Sequence, residues 1–566
     1  MKYKTITSIF TTFAFLSVSS MLNAAENDRL MYGMDIANAN AVKSETKITP
    51  KNVSNLRVKW VYTAGGNTGS IACPPALVDG VLYFPDWIGN LHAVDAKTGK
   101  QIWMKSLPKD FSVPGMYFPF SRNTPAVYGD LIILGNQTHN FKGGKIRKLS
   151  DLPNDGGILI AINRKTGELV WRTKIEDHPL AQITQNPVVY KDKVYVGVSS
   201  WEEFLEGSED FTFPSFRGSV VALDAKTGTM AWKTYTCPGE ADIKDRKKDD
   251  YTGNAVWGGM PSIDPVRNLV YVGTGNNYTV PEPVQKCINE WRNSPEPKKK
   301  PACDTENNYT DAIVAMDLDT GKVKWANKLS ASDVWTLACL PEKSRSNMGF
   351  KLDVACPDPK SEDTDFGEAP VLMTIDHKGK KRDVGIAMQK SGIVYALDRD
   401  TGEIVWSKKA GPNTNRGGAA FGSGTDGVNI YTKTGNNLTG GNIAGPIEWT
   451  LVKPTPDSPP KTDKSVWSAL NAVTGDIVWQ REDISPTLRS SVTLVNGIVF
   501  GGSSTPGAFQ AFDAKSGKLL WSFSPGAEVG TTATVSDGIV YWGSGYARDA
   551  NVAKGPFMLW AFEVVP

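Results

Sequence analysis

An eleven-residue string recurs seven times along the chain: Ala, an apolar residue, Asp or Asn, two variable residues, Thr or Ser, Gly, three variable residues, Trp. The copies are Ala93–Trp103, Ala161–Trp171, Ala222–Trp232, Ala315–Trp325, Ala396–Trp406, Ala469–Trp479 and Ala511–Trp521. Each reads as a hairpin. The Ala-apolar-Asp end of one strand enters a turn whose Gly takes positive φ, the Asp or Asn side chain caps the turn, and an alternating strand runs on to Trp. Ahead of most copies lies a second strand-turn-strand signal, such as Pro75–Phe84, Pro187–Gly197 or Thr493–Gly502. Two hairpins make a four-stranded antiparallel blade, which cannot bury both faces alone and must stack radially on its neighbours.

The expected fold is therefore all-β, an eight-bladed propeller running from residue 25 to 566 as one domain. Its eighth blade has no complete copy of the string. The orphan strand Leu56–Gly65 joins the C-terminal strands around Thr532–Gly543 and Met558–Val565, so the two termini share the closing blade. Copies lie about 40 to over 90 residues apart. The excess over a minimal blade is loop, concentrated between Tyr235 and Asp311 and between Ser330 and Asp365, where a site is to be sought.

Composition narrows the function classes. Lys plus Arg number 62 against 60 Asp plus Glu, so bulk charge gives no reason to expect a nucleic-acid partner. Four separated histidines argue against zinc clusters and Ser-His-Asp catalysis. Lys2 and Lys4 precede an apolar stretch, Ile6–Leu22, and a small-residue cleavage site; residues 1–24 read as a secretory signal peptide. No later stretch is long and apolar enough to span a membrane. Six cysteines without a C-x-x-C pair fit an oxidising compartment and exclude covalently attached haem. Cys287 with Cys303, and Cys339 with Cys356, bracket long connections and are expected to be local disulfides, leaving Cys73 with Cys237 as the remaining pair.

The repeat with its terminal tryptophan resembles the eight-bladed quinoprotein alcohol dehydrogenases, which bind pyrroloquinoline quinone (PQQ) and calcium, and within them the polyvinyl alcohol dehydrogenase-like branch. Three stretches between repeats carry the resemblance. In VWGGMPSIDPVRNLVYVGTGNNY (Val256–Tyr278), it implies that Trp257 is the floor under the quinone and Asn276 a calcium ligand. In ITQNPVVYKDKVYVGVSSWEE (Ile183–Glu203), it implies Thr184 and Ser199 as contacts to quinone carboxylates and Glu202 as the metal carboxylate, with Glu203 its competitor. In IAMQKSGIVYALD (Ile386–Asp398), Lys390 falls where a cation offsets charge developing on the quinone oxygen. Arg122 in FSRNTPAV is carried over as a guanidinium for a quinone carboxylate.

The chain also departs from the family pattern. No two cysteines are adjacent, so the vicinal disulfide some members hold over the quinone is missing, and Ala72 stands where some members have a Glu. The family's catalytic Asp aligns with Thr336 in SASDVWTLAC; Asp333 is the nearest carboxylate and the candidate base, with Asp365 in reserve. Neither register offers the extra Asp that lanthanide-using relatives have, so calcium is expected to suffice. The resemblance implies oxidation of an alcohol substrate in the periplasm, with electrons leaving to a separate carrier such as a cytochrome c. The alternative is a non-enzymatic propeller scaffold for envelope assembly, which explains the repeats but not the residues between them.

Overall fold

The computed structural model describes residues 28–566 except 65–68, 113–121, 138–155, 206–213, 240–249, 293–302, 331–332, 340–355, 357–360, 362, 414–420, 437, 441–442, 487–489, 505, 547–554 and 556. The proposed signal peptide lies outside the described residues. Eight antiparallel sheets, each built on four consecutive strand positions, form the eight blades. Blade 1 runs from Ala76 to Ser106 and blade 7 from Val492 to Phe523. Blade 8 pairs Thr534–Ser536, Ile539–Gly543 and Met558–Val564 with the N-terminal strand Leu56–Thr63 on its outer edge. The ring is thus closed by joining the two ends of the chain.

The register explains the repeated string. In all seven copies the Ala lies directly opposite the Trp, as Ala93 does Trp103 and Ala396 does Trp406, with a register shift immediately after. A small side chain there leaves room for the indole. Blade 8 repeats this arrangement in two pieces, because Ala561 lies opposite Trp60. Trp60 is the eighth tryptophan of the set, hidden in sequence because its partner Ala is 501 positions away.

Each indole docks on the next blade. Trp103, Trp171, Trp232, Trp325, Trp406 and Trp479 donate Nε1–H to the carbonyls of Arg164, Ala225, Leu318, Arg399, Ala472 and Ala514, and Trp60 donates to Ala96. Each acceptor is the fourth residue of the following copy. The indole also covers the turn glycine of that copy. A Cβ on Gly402 would sit 2.5 Å from the Trp325 ring, and the glycine has φ +75°. The Gly is therefore required twice, by its backbone conformation and by the ring packed on it.

A feature without any repeat signal fills the centre. Residues 29–42 hydrogen-bond successively to the innermost strands: Leu77 N–H to Arg29 O, Val127 to Leu30, Ile263 to Ile36, Leu372 to Ala37, Thr425 to Ala39 and Leu494 to Asn40. Arg29, fully buried, also donates to Ala533 O (2.8 Å). This segment touches blades 1, 2, 4, 5, 6, 7 and 8 and lies across the axis. The Cys287–Cys303 and Cys339–Cys356 disulfides are present. Cys73 and Cys237 are not bonded to each other: Cys73 packs in the apolar cluster between blades 8 and 1, whereas Cys237 follows the outer strand of blade 3. The leftover-pair assignment fails because pairing by elimination carries no geometry.

Gly402→Ala should lower stability by roughly 2–4 kcal/mol, adding positive-φ strain to a clash with a packed ring. Gly80→Ala, with φ +73° and nothing within 4 Å of the new methyl, carries only the backbone part. Urea midpoints of the two variants should differ, with Gly402→Ala the lower; equal midpoints would contradict the indole contact.

Candidate functional site

The loops that enter blades 4 and 5, and the turn between the second and third strands of blade 5, meet around one indole. Trp257 donates Nε1–H to Asp365 Oδ2 (2.9 Å). Asp365 Oδ1 accepts the backbone N–H of Asn276 (2.8 Å), and its Oδ2 also accepts Lys390 Nζ (3.0 Å). The Lys390 ammonium reaches Asp363 Oδ1 (2.6 Å) and lies 4.9 Å from the centre of the Trp257 ring. The Arg122 guanidinium lies 5.7 Å from the same ring and 5.1 Å from Phe421, and donates to the Tyr546 hydroxyl (2.8 Å). Its Nε is buried with no partner among the described residues. A half-buried indole, braced at its edge by a carboxylate and attended by two cations, is a platform for a flat, anionic molecule.

Asn276 is distinguished by what its side chain leaves over. Nδ2 donates to Asn277 O (2.8 Å) and Trp335 O (2.7 Å), which fixes the amide and turns Oδ1 away from both carbonyls. Blade 6 contains the same Thr-Gly-Asn-Asn string, with Asn436 in the equivalent place. There Nδ2 donates to Ile447 O (2.6 Å) and Oδ1 accepts Ile447 N–H (3.0 Å), so both ends hold a loop. Within one sequence motif, Asn436 is a brace and Asn276 has an oxygen to offer.

Four carboxylates gather beside Lys390. Asp311, Asp333, Asp363 and Asp365 are each at most 2% exposed. The Thr364 hydroxyl stands between Asp311 Oδ2 (2.7 Å) and Asp333 Oδ2 (3.0 Å). Burial pushes the Asp311 carboxyl well above the usual range, and the neighbouring Asp333 and Asp365 charges add to the rise. Burial does the same to Asp363, against the opposing pull of Lys390. Burial pulls Lys390 down, but Asp363, Asp365 and Glu203 outweigh it and hold its pKa above the ordinary value. Among the described residues, Lys390 is the one cation bonded to any of the four. Such an excess of buried negative charge is relieved by protons or by a further cation. No group of three or more His, Cys, Asp or Glu among the described residues is already drawn together as a metal cage.

Two of the expected residues carry hydrogen bonds that no local sequence pattern shows. The Glu202 carboxylate is fully buried and well bonded: Oε2 accepts the N–H groups of Ser215 (2.8 Å) and Phe216 (2.6 Å), and Oε1 faces His178 Nε2 and Ser215 Oγ, each at 3.0 Å. The charge of its neighbour Glu203 bears on Asp363 and Lys390, and both glutamates bear on Tyr278. The Asp333 carboxylate accepts the N–H of Asp363 (3.3 Å) and that of Thr364, which ties it to the following loop. Asp363, which the sequence reading passed over, has φ +58° and one oxygen on Lys390. A strained Asp in a buried cluster marks a place where surrounding contacts override local preference.

Thr184 and Ser199 are buried, with their hydroxyls 2.7 Å apart. Trp257 packs on the apolar cluster that holds their chain neighbours Ile183 and Val198. Ala72 belongs to an aromatic group with Trp87, Phe421, Tyr546 and Phe557, on which Trp201 and Trp257 also pack. Aromatic rings thus pack against the indole.

The family model described as "Glucose/ethanol/alcohol dehydrogenase, beta-propeller domain" matches residues 32–338 and 361–416. The chain belongs to this PQQ family of dehydrogenases. Every residue of the platform falls inside the matched stretches. A second model, for the outer membrane protein assembly factor BamB, matches only residues 462–563, the last blades, and includes none of them. The chain is 28% identical to a polyvinylalcohol dehydrogenase of Pseudomonas sp over 93% of its length and 74% of that protein's. A second polyvinylalcohol dehydrogenase, from Sphingopyxis sp. (strain 113P3), is 26% identical over 89% of this chain and 70% of that one. The crystal structure of the quinohemoprotein alcohol dehydrogenase from Comamonas testosteroni shares the fold with a TM-score of 0.65 at 21% identity, covering 95% of this chain and 80% of that one. As a member of the family, the chain is a quinoprotein alcohol dehydrogenase.

The charge balance makes a prediction. Lys390→Met strips Asp363 and Asp365 of their bonded cation inside the four-carboxylate cluster and should lower stability of the metal-free protein by roughly 3–5 kcal/mol. Asp311→Asn removes one charge from the excess and should be neutral or stabilising. Urea denaturation of both variants decides it; an Asp311→Asn loss as large as that of Lys390→Met would contradict the account.

Proposed function

We propose that the chain oxidises an alcohol at PQQ seated on Trp257, with calcium bound beside it, and passes electrons to a separate carrier such as a cytochrome c. PQQ, when bound, supplies the carbonyl that accepts hydride, and calcium polarises it. The observation that carries the proposal is the platform itself: one indole, braced by Asp365, with Arg122 and Lys390 at the ring.

The residues present fit such a cofactor. The orphaned Arg122 Nε and the Thr184 and Ser199 hydroxyls are donors suited to its carboxylates. Asn276 Oδ1 and the Glu202 carboxylate, with its neighbour Glu203 as competitor, are the hard oxygen donors we assign to calcium. A divalent cation here also offsets the buried acidic excess. We assign the proton-accepting role to Asp363 in place of Asp333. Lys390 holds Asp363 Oδ1, leaving Oδ2 for the substrate hydroxyl proton, and burial raises its basicity. Lys390 then stands ready to offset negative charge that develops over the indole.

The two disulfides fit maturation outside the cytoplasm, and no helix among the described residues is long and apolar enough to cross a membrane. Export through a signal peptide cleaved after residue 24 into the periplasm completes the proposal. The polyvinylalcohol dehydrogenases among the relatives favour a secondary or polymeric alcohol over a small primary one.

The test is reconstitution. Apoprotein supplied with PQQ and Ca²⁺ should oxidise secondary alcohols or polyvinyl alcohol with an artificial electron acceptor, without lanthanide. Asp363→Asn should lower kcat by roughly 10²-fold or more with PQQ binding near normal, whereas Asp333→Asn should act mainly on stability. Full turnover by Asp363→Asn would remove it as the base.

A further inference from the structure

Arg122 is held at both ends by residues of different blades. Its backbone N–H donates to Gln137 Oε1 (3.2 Å), and the fully buried Gln137 donates Nε2–H to Ile183 O (3.0 Å). The root of the side chain is thus fixed in the loop entering blade 2. Its tip reaches blade 8, where Nη1 donates to the Tyr546 hydroxyl oxygen (2.8 Å), 424 positions further along the chain. The guanidinium lies against the Phe421 and Trp257 rings, which meet nearly at right angles (79°). Among the described residues the Arg122 side chain makes no ion pair, and Tyr546 is its one hydrogen-bond partner. A guanidinium attended only by neutral groups keeps its whole charge for a ligand.

Tyr546 is itself built in. It is 4% exposed, and its ring packs on Trp87 of blade 1 (4.9 Å) and on Phe421 of the loop entering blade 6 (6.4 Å). The preceding Gly545 has φ +107° and donates its N–H to Glu528 O (2.6 Å). Gly530 leaves room for the ring, because a Cβ there would come within 2.4 Å of it. The place of the hydroxyl is therefore set by blades 8, 1 and 6, with no help from Arg122.

The bond to Tyr546 also decides which edge of the guanidinium is left over. Nη1 is taken, so the remaining edge is the one carrying Nε and Nη2, whose parallel N–H bonds match the oxygens of a carboxylate. Nε on that edge is buried and has no partner among the described residues. We infer that Tyr546 is a positioning residue for cofactor binding: by holding Nη1 it presents the Nε–Nη2 edge of Arg122 to a carboxylate of the flat anion on the indole. This rests on the reading that PQQ sits on Trp257 with Arg122 at a carboxylate. Tyr546 then adds to affinity only through Arg122, and the two act as one unit.

The experiment is PQQ titration of the full-length exported protein, freed of PQQ and held in excess Ca²⁺. Binding is followed by quenching of tryptophan fluorescence, with the thermal midpoint of the PQQ-free samples as the measure of fold. Tyr546→Phe keeps the ring and its packing, and should weaken PQQ binding roughly tenfold, the scale of one hydrogen bond to a charged group. Arg122→Leu should weaken it further. In the Arg122→Leu background, Tyr546→Phe should change PQQ affinity by less than about twofold. A loss that is purely structural would persist without Arg122, so the double variant decides even if Tyr546→Phe lowers the midpoint. Arg122→Gln takes the place of Arg122→Leu if the latter fails to fold or binds too weakly to titrate. Full affinity in Tyr546→Phe, or losses that multiply in the double variant, overturn the positioning role alone. Undiminished PQQ binding by the folded Arg122 variant overturns the carboxylate assignment beneath it.

Discussion

The indole that closes each hairpin is shared between two blades, and the position of everything at the top of the ring follows from it. A tryptophan buries roughly 150–250 Å², so each junction contributes about 4–6 kcal/mol of gross apolar burial before any entropy is set against it. The hydrogen bond from Nε1 to the fourth residue of the next copy adds direction to that burial. Sliding a blade along its neighbour by one residue would lose the carbonyl and lift the ring off its glycine. Blades 4 and 5 are held in register by Trp325 on Arg399 O and Gly402, and the loops entering those two blades supply Trp257 and Asp365. The 2.9 Å bond between Trp257 and Asp365 is therefore an inter-blade contact that depends on the dock below it.

On that frame the site gathers charge that the ring alone does not need. The carboxylates of Asp311, Asp333, Asp363 and Asp365 are buried within reach of one lysine, an arrangement that is unfavourable in an empty protein. The segment from Arg29 to Val42 is tied to the same region. Tyr32 donates its hydroxyl to Phe421 O, and Phe421 meets Trp257 nearly edge-on at 6.3 Å. The floor under the aromatic group is thus tied to the chain's own N-terminal stretch.

Much of this was legible in the sequence, for identifiable reasons. The repeated Ala-to-Trp string fixes blade number because each position in it answers to one contact. The platform residues Trp257, Asn276, Arg122 and Lys390 were picked out by family resemblance, and the fold brings them to neighbouring loops. What escaped was orientation. Glu202 and Glu203 differ by one position, and His178, which anchors Glu202, lies 24 residues away and leaves no local signature. Asp333 and Asp363 are both acidic loop residues in a sequence; only the fold shows that Asp333 accepts the backbone N–H groups of Asp363 and Thr364. Trp60 was obscured by the split blade, and the axial segment by having no period at all.

The most direct test of the account is an anomalous difference map from crystals of the protein loaded with PQQ and Ca²⁺. The account predicts one calcium peak about 2.3–2.6 Å from Asn276 Oδ1 and a carboxylate oxygen of the Glu202–Glu203 pair, with planar density stacked on Trp257. A calcium peak away from Asn276 and both glutamates, or cofactor density away from the Trp257 ring, would contradict it.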